Sequence, residues 1–94
     1  MPYENIDIKS RLQSQLDDPA FKEAFERVEL EYELIEQIVL ARRAKSITQV
    51  RLAEITGVSQ QAISRLEKEK HLPKLDTLIK IVDGLGMKLV IKER

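Results

Sequence analysis

The 94-residue chain has no cysteine, one histidine and three glycines. Without cysteine there is neither a disulfide nor a thiolate metal site, and His71 by itself does not anchor a metal. No Gly-rich phosphate loop is present, His71 precedes a proline-bearing loop, and no serine has a recognisable base partner. The minimum of two suitably spaced reacting groups is therefore missing, and catalysis is not expected. No apolar run approaches the roughly 20 residues a membrane-spanning helix needs. The opening MPYENIDIKS also lacks the basic-then-apolar order of a signal peptide. A soluble cytoplasmic protein with no cofactor and no membrane partner is the expectation.

The hydrophobic fraction of 43% suffices for one modest core but not for two. Net formal charge is zero, which at first argues against a polyanionic partner, but the charges are unevenly placed. Residues 1–30 hold seven acids against four bases, whereas residues 37–75 hold eight bases against three acids. A basic region is what phosphate binding requires, and an acidic arm is what a basic partner protein favours.

That basic region contains TQVRLAEITGVSQQAISRLEKE, Thr48 to Glu69. The residue types fit two short helices crossing through one tight turn. Thr48 is placed to cap the first, over about Gln49 to Thr56, where Ala53 is small enough to admit a close neighbour. Gly57 makes the corner, Val58 fills it, and Ser59 caps the second helix, over about Gln60 to Lys68. Ile63 and Leu66 share one face of that helix. Gln60, Gln61, Ser64 and Arg65 share the other, and Gln and Arg are the side chains whose bidentate donor and acceptor pairs match adenine and guanine edges in the major groove. Glu67 is expected to be structural, pairing with a base inside the domain.

Around this motif, Tyr3 to Lys9 alternates weakly enough to allow a short strand, and Ser10 to Leu16 allows two helical turns. Asp18 and Pro19 then read as the N-cap and first residue of a helix that nothing interrupts until about Lys45. Along it Phe21, Phe25, Val28, Tyr32, Ile35 and Val39 recur at alternating spacings of four and three, a heptad-like seam of the kind that is normally covered. A second stripe, Leu34, Ile38 and Ala41, begins only in the later half. The later half is expected to pack on the motif, and the earlier half either to meet a partner or to fold against its own N-terminal turns. A last helix is predicted over about Leu75 to Leu85, with Leu75, Leu78, Ile79, Val82 and Leu85 inward and Gly86 as a left-handed cap. Met87 to Lys92 alternates as a strand does. A lone strand must find another edge, in this chain, in a second copy or in another protein.

Gln49, Ala53, Gly57-Val58-Ser59, Ile63-Ser64-Arg65-Leu66-Glu67, Pro73 and Leu78 together resemble the phage-repressor-like, or XRE, helix-turn-helix family over about Tyr32 to Gly86. Asp-Pro-x-Phe-Lys at Asp18 to Lys22, Glu-Tyr-Glu-Leu at Glu31 to Leu34 and the ending Leu-Gly-Met-Lys-Leu are similar to the HigA-type antitoxins of bacterial type II toxin–antitoxin systems. The resemblance implies a mainly α fold: a lambda-repressor-like helix-turn-helix bundle over residues 31–94 with a short C-terminal β-strand, preceded by a toxin-binding helical extension over residues 1–30. It also implies a homodimer that binds double-stranded operator DNA to repress its own operon, and that holds a basic, messenger-RNA-cleaving HigB/RelE-like toxin inactive. Two half-sites about one helical turn apart suit such a dimer, formed through the C-terminal strand or the long-helix seam. The pattern departs from the family at Glu69, where many members have Gly, so the second motif helix is expected to run longer or turn differently.

On this reading Gln60, Gln61, Ser64 and Arg65 contact bases. Gln49 and Ser59, at helix N-termini, are placed for phosphates or simply as caps, and Arg43, Lys68, Lys70 and Lys74 for the DNA backbone. Phe21, Phe25, Val28 and Tyr32 form the toxin-binding ridge, with Glu23, Glu26 and Glu29 as its acidic neighbours. Two alternatives stand beside this. A stand-alone repressor would form no stable complex with a small basic toxin, and a protein-interaction scaffold would show no salt-dependent affinity for DNA.

Overall fold

The computed structural model describes Gln15 and residues 17–93. The strand expected over residues 3–9 lies outside them, as do all but Gln15 of the helical turns expected over residues 10–16. Four helices are present among the described residues: α1 (Pro19–Ala44), α2 (Gln49–Thr56), α3 (Gln60–Glu69) and α4 (Leu75–Gly84). The chain divides into two compact units, Met1–Glu31 and Tyr32–Arg94, and α1 contributes residues to both.

Helix α1 begins where Asp18 Oδ1 accepts the Ala20 N–H at 3.0 Å, with Pro19 in the first position, where no amide is needed. It ends in a Schellman turn. The Ile47 N–H donates to Arg42 O and the Ser46 N–H to Arg43 O, at 3.1 and 3.0 Å, with Ser46 in the left-handed region at φ 55°. In the first unit Phe21 and Phe25, one turn apart, stack with ring centroids 6.2 Å apart.

The second unit holds the core. Ile35, Ile38 and Val39 of α1, Leu52 of α2, Val58 in the corner, Ile63 and Leu66 of α3, and Leu78, Ile81, Val82 and Leu85 in and after α4 are all buried. Helix α2 packs against both α3 and α4. Its approach to α4 depends on Gly84, where an added Cβ would overlap Cγ2 of Thr56. Helix α4 closes in a second Schellman turn, Met87 N–H to Val82 O and Gly86 N–H to Asp83 O, with Gly86 at φ 72° as the sequence predicted. The inward face of α4 differs from the predicted one. Ile81 is buried, whereas Leu75 and Ile79 are exposed.

The predicted C-terminal strand is not formed. Met87 is partly buried against the core, but the segment through residue 93 has no regular structure, and Leu89, Val90 and Ile91 face solvent. Alternation confers a face, but strand formation needs a second edge to take the amides and carbonyls, and the described residues contain no strand to supply one.

Candidate nucleic-acid interface

The corner between α2 and α3 is fixed by hydrogen bonds of its own residues. Thr48 Oγ1 accepts the Arg51 N–H at 3.0 Å and starts α2. At the other end Gly57 takes φ 75°, a conformation costly for a residue with a Cβ, and donates its N–H to Ala53 O at 2.9 Å. The Thr56 hydroxyl donates to Leu52 O at 2.7 Å and accepts the Val58 N–H at 3.1 Å, so a single side chain bridges helix end and turn. Ser59 Oγ then accepts the Ala62 N–H at 3.1 Å and opens α3.

Helix α3 has two chemically distinct faces. Ile63, Leu66 and Glu67 are buried; Gln60, Gln61 and Arg65 are exposed, and Ser64 is half-buried beside them. Arg65 Nε reaches Glu69 Oε2 at 3.3 Å, with both side chains 61% exposed. Such a pair is weak and is readily exchanged for a stronger acceptor. The helix stops at Glu69, and Lys70 turns into the left-handed region at φ 53°, so the missing family glycine does not lengthen the helix.

Of the predicted backbone-contacting groups, Arg43, Lys68 and Lys74 are exposed and Lys70 is half-buried. Ser59 spends its hydroxyl oxygen on its own helix. Gln49 does something the sequence reading missed: its Nε2 donates to Glu67 Oε1 at 3.1 Å. Glu67 is also gripped by Arg42, through Nε to Oε2 at 2.6 Å and Nη2 to Oε1 at 2.8 Å, while Arg42 Nη1 donates to Ile47 O at 2.8 Å. This cluster ties α1, α2 and α3 together in the interior. Burial alone would push the Glu67 carboxyl upward. The hydrogen bonds from Arg42 and Gln49 and the charges of Arg42 and Arg43 outweigh it and hold Glu67 below its ordinary value. Arg42 is held above its own, chiefly by its hydrogen bond with Glu67, against the opposing effect of burial. Arg42 was legible in principle: Glu67 sits one turn after Ile63 on the inward stripe, and a buried carboxylate demands a base.

On α1, Val28 and Tyr32 are exposed and Phe21 and Phe25 half-exposed, with Glu23, Glu26 and Glu29 in solvent. Glu23 pairs loosely with Arg27 at 3.6 Å. No helix among the described residues is long and apolar enough to cross a membrane, and none of their His, Asp and Glu side chains gather into a group of three fit to hold a metal.

The helix-turn-helix family matches residues 38–91. An uncharacterized HTH-type transcriptional regulator of Haemophilus influenzae is 38% identical over 58 residues, 62% of this chain and 59% of its own length. Antitoxin HigA1 of Mycobacterium tuberculosis is 35% identical over 72 residues, 77% of this chain and 48% of its own. The chain thus spans between about half and three-fifths of the curated relatives it matches. Among solved structures, a chain of a toxin–antitoxin module from Streptococcus pneumoniae is similar with a TM-score of 0.63 and 34% identity, over 78% of this chain and 81% of that one.

Proposed function

The chain belongs to the helix-turn-helix family, of the XRE type, and from that premise we propose that it is a HigA-type antitoxin that reads operator DNA with α3 and neutralises a toxin with the first part of α1. The observation that carries the DNA reading is the division of α3: Gln60, Gln61 and Arg65 stand in solvent while Ile63, Leu66 and Glu67 fasten the helix from behind. A major groove admits an α-helix, and amide and guanidinium groups on its outer face pair with base edges, Ser64 joining where the approach is closest. Arg43, Lys68, Lys70 and Lys74 supply charge toward phosphates on either side. Gln49 serves through its backbone amide at the start of α2, its side chain being committed to Glu67. The protein acts as a homodimer on two half-sites.

The antitoxin part rests on the likeness to HigA1 and to a toxin–antitoxin module, together with the apolar ridge of Phe21, Phe25, Val28 and Tyr32. Glu23, Glu26 and Glu29 lie on the same stretch of helix and suit a basic, RNA-cleaving HigB/RelE-like partner. Likeness to an HTH-type transcriptional regulator favours a second reading, a repressor that works without a toxin.

The test is co-expression with the product of the adjacent reading frame, affinity co-purification, and footprinting of the upstream DNA. A stable complex that Val28→Asp with Tyr32→Ser disrupts supports the antitoxin reading; no complex leaves the lone repressor. Arg65→Ala is expected to weaken binding by about 1–3 kcal/mol and to relax preference at one base position. Unchanged footprints with Arg65→Ala and Gln61→Ala together would remove α3 from the role of reader.

A further inference from the structure

Beside the reading face lies a groove of about 500 Å³, lined by Arg65 of α3, His71 and Lys74 of the connecting loop and Thr77 of α4, with Ala62 and Leu72 among its apolar walls. Every ionisable side chain lining it is basic or can become so. The acids nearby on the two helices are engaged: Glu69 holds Arg65 at 3.3 Å, and Asp76 Oδ1 accepts the Thr77 N–H at 2.8 Å. We infer that this groove seats a backbone phosphodiester of the bound duplex, and that His71 is the group that closes on it.

The inference deepens the proposed DNA reading and rests on it, because Arg65 belongs both to the face that meets bases and to the wall of the groove. A strand running past α3 is thereby led along Arg65 into a pocket whose donors are the His71 imidazole, the Lys74 ammonium and the Thr77 hydroxyl, the last lying 3.5 Å from Asp76 Oδ1 and exchanging that long contact for the phosphate. All three donate to the non-bridging oxygens of a phosphate. His71 is exposed and is the chain's one histidine. A histidine changes charge between about pH 5 and 8, and a phosphate against it favours the imidazolium. Seating the phosphate therefore takes up a proton, and DNA affinity rises as pH falls. The other charged groups around His71 are Arg65 of α3, Lys70 and Lys74 of the loop, Glu69 at the end of α3 and Asp76 at the start of α4.

The experiment is fluorescence anisotropy with the footprinted operator duplex at fixed ionic strength, at pH 6 and pH 8, comparing wild type, His71→Gln and Lys80→Gln; Lys80 is exposed on α4 away from the groove. One added phosphate contact is worth about fivefold in affinity at roughly 0.15 M salt and steepens the salt dependence by about 0.9. Wild type and Lys80→Gln are expected to bind about fivefold tighter at pH 6 than at pH 8. His71→Gln should lose most of that ratio, and its salt slope at pH 6 should be shallower by about 0.9. An equal pH ratio in wild type and His71→Gln, with salt-dependent binding intact, overturns the role of His71 alone. Absence of salt-dependent duplex binding by the wild type overturns the DNA reading with it. Matching thermal unfolding of the three proteins excludes misfolding as the cause.

Discussion

Phe21, Phe25 and Val28 in the first unit follow the same four-and-three spacing as Tyr32, Ile35 and Val39 in the second, yet Ile35 is 0% exposed and Val28 45%. The ion pairs repeat the contrast. Arg42 and Glu67 meet at 2.6 Å with side chains 12% and 7% exposed, whereas Arg27 and Glu23 meet at 3.6 Å with 68% and 78% exposed. Identical periodicity therefore has two outcomes, decided by whether later helices supply a cover. Where α2, α3 and α4 bring Leu52, Ile63, Leu66 and Ile81, the stripe becomes core. Where the described residues bring no such cover, Val28 and Tyr32 are left exposed, the surface to which the proposed function assigns a partner.

The sharpest way to break this contrast is at the two ion pairs. Glu67→Ala leaves the Arg42 guanidinium buried without its partner and is expected to cost about 3–5 kcal/mol in denaturant unfolding. Glu23→Ala should give no resolvable change, and equal effects at the two sites would erase the distinction. Next come the apolar positions. Ile35→Ala is expected to cost about 2–5 kcal/mol, and Val28→Ala less than about 0.5 kcal/mol, read from paired thermal melts; a large loss at Val28 would mean that the ridge is internally covered after all. Gly84→Ala sharpens the account of the second unit, because the new methyl meets Thr56, whose hydroxyl is already tied to Leu52 O. About 1–3 kcal/mol should be lost as α2 and α4 are forced apart.

The smallest effect is with pH. Because the Glu67 carboxyl is depressed in the folded protein, its contribution is fully present above the ordinary glutamate range. It is lost as pH falls through its folded value. Unfolding free energy measured on acidification should decline less steeply in Glu67→Gln than in the wild type. Parallel profiles would show that the carboxylate is not the linked group.

The helix ends were legible because each is marked by a residue with a local reason to be there: Asp18 and Pro19, Thr48, Gly57, Ser59, Gly86. The outward face of α3 was legible for the same reason, since Ile63 and Leu66 identify the inward one. What escaped was non-local. Leu75 and Ile79 obey helical spacing as well as Ile81 does, and only the placement of α2 against α4 chooses between them. Nothing local to Gly84 gives a reason for glycine there until Thr56 is seen beside it. Gln49 reads as a phosphate ligand or a cap, and its side-chain bond to Glu67, 18 residues away, belongs to neither pattern. The alternation after Met87 describes half of a pairing, and the other half is nowhere in a local pattern.

The groups that anchor α3 and the groups it displays do not overlap, so on the proposed DNA reading target preference and foldability are separable traits. Residues 60, 61 and 65 can drift, or be shuffled in a library, while Ile63, Leu66 and the Arg42 clasp keep the scaffold upright. On that reading, descendants of one ancestral gene acquire orthogonal addresses on a chromosome without rebuilding the scaffold.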